Sequence, residues 1–154
     1  MNDIIISDYL ENFCNNLKTE FPDDIYSCDI YGGQLDNDGE GFLNFQVNKK
    51  AQCFISLDNM TFKQGRSLLG DATFSVFVVA ITNRKTKRFS TAGIDIVQKV
   101  CGFINNSDSL DKGAIARPQI EEIRQIVNTN KDEKLYNNFM ITYNQKIILK
   151  QNFN

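Results

Sequence analysis

Residues 74–81 read Phe-Ser-Val-Phe-Val-Val-Ala-Ile, the most hydrophobic stretch of the chain. In an extended backbone, apolar side chains fall on both of its faces, and β-branched residues dominate. A strand with one polar face can lie at a surface. A strand apolar on both faces belongs at the centre of a sheet that is covered on both sides. The run ends at Asn83.

Two segments have the period of covering helices. Ile6, Leu10, Phe13, Leu17 and Phe21 recur at helical spacing, with Asp8, Glu11, Asn15 and Lys18 on the wet side. Asn2 and Asp3 are the expected caps, and Pro22 stops the segment. Its polar face is not basic, which favours a helix on a core over one on a membrane surface. The second stripe is Ile94, Val97, Cys101 and Ile104, widened by Ile96, Val100 and Phe103. It predicts a deeply packed helix capped by Ser90 or Thr91.

The remaining segments read as strands and loops. Ile25, Tyr26, Cys28, Ile30 and Tyr31 form a short strand closed by Gly32-Gly33. Residues 34–41 are polar. Asp36, Asp38 and Glu40 alternate there, but a calcium loop needs a closing Glu at its twelfth position, and counted from Asp36 that position is Val47. Residues 42–49 lead into a strand with Cys53, Ile55 and Leu57 on one face and Phe54 and Ser56 on the other. Residues 58–71 read as a loop. No Gly-Lys-Ser/Thr follows its glycines, so a phosphate loop has no support. In residues 114–128, Ile120, Ile123, Ile126 and Val127 partly fit a helical period. Pro118 and the β-branched content favour a strand with an irregular start. Residues 128–134 read as a polar turn. The last strand sets Leu135, Phe139, Ile141 and Tyr143 against Tyr136, Met140 and Thr142, and Ile147 to Leu149 either extend it or pair elsewhere. The order predicts one α+β domain over 1–154: a mostly antiparallel or mixed β-sheet with two main helices packed on one face. At 154 residues and 42% hydrophobic, the chain can bury a core without staples.

Composition narrows the function. The chain has no histidine. That removes Ser-His-Asp triads, Cys-His dyads and histidine zinc sites. Cys14, Cys28, Cys53 and Cys101 are scattered among apolar neighbours with no Cys-x-x-Cys pair, and read as buried free thiols. No signal peptide or membrane span is legible, which points to a reducing intracellular compartment. The formal net charge of −2 argues against a general nucleic-acid binder. A carboxylate–metal enzyme would draw on Asp29, Asp36, Asp38 and Glu40, or on Glu121 and Glu122. Adjacent glutamates on a strand face opposite ways unless the strand bulges. A non-enzyme without cofactor or metal is the expectation. The basic run Arg84, Lys85, Lys87 and Arg88 is the candidate partner-contact loop, set against a merely solvated connection. No aromatic residue interleaves with it, so it is not a platform for stacked bases.

The layout resembles the Mu-like phage tail terminators, related to the minor tail proteins that cap tail tubes. The resemblance runs from the helix between Ile4 and Pro22 to the strand Ala51-Gln52-Cys53-Phe54-Ile55-Ser56-Leu57. It continues through the hydrophobic strand Thr73 to Ile81 with Thr82-Asn83-Arg84 after it, the helix Ala92 to Ile104, and the closing strands ending near Thr142-Tyr143. Where the family's last strand opens with glycine and tryptophan, this chain has Lys134-Leu135-Tyr136, and only Gly113 remains of the glycine-rich loop. The resemblance implies a structural protein that assembles into a ring, typically a hexamer, on the end of the tail tube and stops its polymerisation. Implied partners are further copies of the chain, the tail-tube protein, and a head connector or sheath. The implied location is the host cytoplasm during assembly and then the tail of a phage, prophage-derived or contractile-injection particle. Such a ring closes through a head-to-tail interface, and residues 32–50 and 58–71 would be its docking loops. The alternative is a small cytoplasmic immunity or antitoxin-type binding protein.

Overall fold

The computed structural model describes residues 3–32, 51–65, 67–83, 92–106, 116–131 and 134–152. In chain order the elements are α1 (Ile6–Glu20), β1 (Ile25–Ile30), β2 (Ala51–Phe62), β3 (Leu69–Asn83), α2 (Ala92–Asn105), β4 (Gln119–Lys131) and β5 (Lys134–Ile148). The strands form one mixed sheet in the order β1-β2-β3-β5-β4. β1 runs parallel to β2, and every other pair is antiparallel. The fold is therefore α+β, with both helices packed against the sheet.

The doubly apolar run occupies the middle of this sheet, as its sequence demands. Phe74, Val76 and Val78 of β3 are fully buried on the helix side. Their neighbours across the ladders are Leu57, Ile55 and Cys53 of β2 and Tyr143, Ile141 and Phe139 of β5. On the other face, Phe54, Ser75 and Val79 are also buried. The Tyr31 ring lies 4.6 Å from Phe77 and 6.3 Å from Phe54 there.

The helices meet over an aromatic cluster. Tyr9 of α1 stacks on Phe74 at 4.7 Å, and Phe74 on Tyr143 at 5.1 Å. Phe13 meets Phe103 of α2 edge-on at 5.3 Å. The first turn of α2 seats close to the sheet, because a Cβ at Gly93 would stand 3.3 Å from both Ala80 and Phe139.

Several expectations need correction. Helix α1 is capped by Ile5, not by Asp3, and without a side-chain hydrogen bond. The chain ahead of it is engaged elsewhere: Ile4 donates to the Ile148 carbonyl at 2.7 Å and accepts from Lys150 at 2.9 Å. Residues 58–62 and 69–71 are strand, not loop. Asn59, Met60, Thr61 and Phe62 pair with Thr73, Ala72, Asp71 and Gly70, after a register shift between Leu57 and Asn59. Pairing with a well-packed neighbour overrides the weak strand preference of Asp and Asn. Likewise β4 runs to Lys131 and β5 begins at Lys134, so residues 128–131 and 134, expected in a polar turn, are strand. In α2 the buried stripe centres on Ile96, Val100 and Phe103, and Ile94 is 57% exposed. The ambiguous segment is strand β4, and Ile147 extends β5 into the core.

Candidate functional site

The candidate contact loop Arg84, Lys85, Lys87 and Arg88 lies outside the described residues, as do Asp36, Asp38, Glu40 and residues 33–50 of the first expected docking loop; the second, 58–71, is described except for residue 66, and both of its ends are strand. Glu121 and Glu122 sit at a register shift between Ile120 and Glu122, the one arrangement that can turn both to one side. They face the same side, toward Thr142 and Asn144, but take different partners. Glu121 accepts from the Asn144 side-chain amide, and Glu122 pairs with Arg124 at 3.0 Å. Among the described residues, no three Cys, Asp or Glu side chains are grouped as a metal ion would require.

Two polar clusters, the first of them buried, belong to the architecture. Tyr9 donates to Gln145 Oε1 at 2.6 Å and lies 2.9 Å from the Tyr143 hydroxyl. Since the Tyr9 proton is used on Gln145, Tyr143 is the donor to Tyr9. Gln145 Nε2 then donates to the Ala116 carbonyl at 3.0 Å. Burial, reinforced by Tyr9, holds the Tyr143 hydroxyl well above the usual phenol range. All three side chains are sealed from solvent, so this relay ties α1, β5 and the approach to β4 together and offers no substrate a way in. On the opposite sheet face, Asp58 accepts hydrogen bonds from Ser56 and from buried Ser75. That pattern fixes the bend of β2 where its register shifts.

A cleft of about 520 Å³ opens between α1 and β1. Glu11, Cys14 and Lys18 of the helix line one wall, and Cys28, Asp29 and Ile30 of the strand the other. Its volume falls in the range of small-molecule pockets. Cys28 donates its thiol proton to Cys14 at an Sγ–Sγ distance of 2.8 Å. This hydrogen bond, then burial, hold the Cys28 thiol far above the ordinary thiol range. Burial, reinforced by Cys14, pushes Cys53 up, and burial alone pushes Cys101 up. No Cys-x-x-Cys spacing marks the juxtaposition of Cys14 and Cys28 in the sequence, but the length of the connecting turn implies it. Cys14 lies about 10 Å back along the helix from Phe21. Cys28 lies about 10 Å forward along the strand from Ile25. A tight turn between antiparallel elements sets those two positions side by side.

The feature most suited to macromolecular contact is the outer edge of the sheet. Among the described residues β4 pairs with β5 alone and ends the strand order. Glu121, Glu122, Arg124 and Gln125 are exposed along it, and Ile123 is 53% exposed. Register shifts at both ends of this stretch bend the strand, a common device at edges that must not pair indiscriminately. At the far end of the sheet, β1 exposes Tyr26 and Ile30. No family model matches the chain, and no curated protein matches it by sequence. No helix among the described residues is long and apolar enough to cross a membrane.

Proposed function

We propose that the protein is a structural assembly component resembling the phage tail terminators, forming a ring that caps a tail tube and stops its polymerisation. The observation that carries this reading is the β4 edge, thirteen residues long and exposed from Glu121 to Gln125, on a sheet whose other end exposes Tyr26 and Ile30. Joining the β4 end of one copy to the β1 end of the next is a head-to-tail contact, and such contacts close into rings when the rotation per copy fits. Main-chain hydrogen bonds across added strands supply the affinity. The chain works without catalysis in this reading. Its partners are its own copies, the last ring of the tube, and a head connector or sheath.

Light scattering across a concentration series, with negative-stain imaging of the most concentrated sample, tests it. A closed ring of roughly six subunits is expected from the resemblance and from head-to-tail closure. A chain that is monomeric throughout and also fails to cap assembled tail tubes removes the reading. The same edge can accept one strand of a single partner, which is the geometry of the immunity-type alternative. A tight one-to-one complex with no ring favours that alternative.

A further inference from the structure

The geometry points to a modification site separate from the sheet edge: Cys14 and Cys28 form a dithiol that undergoes exchange with a small cationic disulfide entering the α1–β1 cleft, closing an intramolecular Cys14–Cys28 bond. This inference is independent of any ring. The two sulfurs stand 2.8 Å apart with nothing between them. A disulfide bond is about 2.05 Å long, so closure needs less than about 1 Å of movement. The elements carrying them are held in place by the turn between them, where Phe21 donates to Leu17 and accepts from Ile25 at 3.0 Å. Cys53 is the register neighbour of Cys28 on the helix side of the sheet but is fully buried, and Cys101 lies on α2; neither lines the cleft.

The contact makes the two sulfurs an attacking and resolving pair, with Cys14, on the helix wall, attacking first. Its sulfur, having released its proton to solvent, bonds to one sulfur of the reagent. The reagent's S–S bond breaks, and the first small thiolate leaves and takes up a proton. Cys28 then attacks the Cys14 sulfur of the mixed disulfide and passes its proton to the second thiolate as that thiolate is expelled. The protein loses two electrons and two protons, and the reagent is reduced to two thiols. Glu11 and Asp29 outnumber Lys18 on the cleft walls, so an amine-bearing disulfide is drawn in and a carboxylate-bearing one is repelled.

The test uses the full chain, reduced, with cystamine or glutathione disulfide as reagent. Samples are quenched with acid, unfolded, and alkylated, then mapped as non-reduced peptides. The expected product lacks two hydrogens, carries a Cys14–Cys28 cross-link, and retains Cys53 and Cys101 as alkylated thiols. Cystamine should react several-fold faster than glutathione disulfide at low salt, with the ratio shrinking as salt screens the cleft. The Cys28→Ser variant should accumulate a lasting cysteamine adduct on Cys14, because the resolving sulfur is gone. If that variant does not fold, the wild-type peptide map and the reagent ratio still decide. The oxidised chain should melt several degrees higher, since the bond restricts the unfolded ensemble. Cross-linking of any other pair overturns the proposal. So does a folded chain that keeps all four thiols under conditions that oxidise the unfolded chain.

Discussion

At the scale of single residues, Tyr9 joins both kinds of core chemistry. Its ring stacks on Phe74, and its hydroxyl links Tyr143 to Gln145. Tyr9→Phe keeps the ring but strands a buried hydroxyl and a buried amide oxygen. A loss of about 1–3 kcal/mol is expected, because an unsatisfied buried polar group loses its full hydration. Urea unfolding of the two proteins checks this, and an unchanged midpoint would show that the relay is not needed for stability. The helical period marks Leu10, Phe13 and Leu17 as inward-facing. It could not reveal the role of Tyr9, whose partners lie more than 130 positions away.

At the scale of elements, glycines separate close approach from free space. A Cβ at Gly70 would stand 2.6 Å from the Thr61 carbonyl oxygen and 2.9 Å from the Met60 methyl. The oxygen is main chain and cannot swing away, so Gly70→Ala forces the β2–β3 ladder apart at an expected cost of about 1–3 kcal/mol. Gly102 of α2 is exposed with nothing within 4 Å of the added carbon. Gly102→Ala should stabilise by up to about 1 kcal/mol through helix propensity alone. Thermal unfolding of both variants should therefore shift in opposite directions. On β4, Ile123→Lys puts a charge on the exposed edge. Folding stability should stay within about 0.5 kcal/mol, while self-association measured by light scattering should fall sharply. Unaltered association would exclude this edge as the contact. The Ile6-to-Phe21 stripe and the two-sided β3 run were readable because each element's own period shows which sides are covered. Residues 58–62 were not, because Asp58, Asn59 and Thr61 become strand only when β3 lies beside them.

At the scale of the whole molecule, the absence of histidine shapes the pH profile. No side chain has an ordinary pKa between the carboxylates and the thiols. Stability should be level from above the carboxylate range to about pH 8. The alkaline side is different. Cys28, Cys53 and Tyr143 have pKa values raised above their ordinary 9.0, 9.0 and 10.0. Their protonated forms are neutral, and the folded chain holds those protons more tightly than the unfolded one. Their contribution is complete below the unfolded values and is lost as pH rises beyond them. Each such group lowers stability by up to about 1.4 kcal/mol per pH unit once the unfolded state ionises. Denaturation midpoints measured between neutral pH and pH about 10.5 should be flat at first and then fall. A steady decline beginning near neutrality would contradict this assignment.

The amino-acid order by itself determined the central strand, both helices, the α+β class and the exclusion of histidine chemistry. Each follows from local period or from composition, which need no knowledge of neighbours. Tertiary structure alone decided the parallel pairing of β1 with β2, the placing of β4 at the edge with Ile123 exposed, the Tyr9–Tyr143–Gln145 relay and the contact of Cys14 with Cys28. Those depend on which segments come together across the chain. Hydrophobic periodicity says that a face is covered, but only the packed molecule says by what.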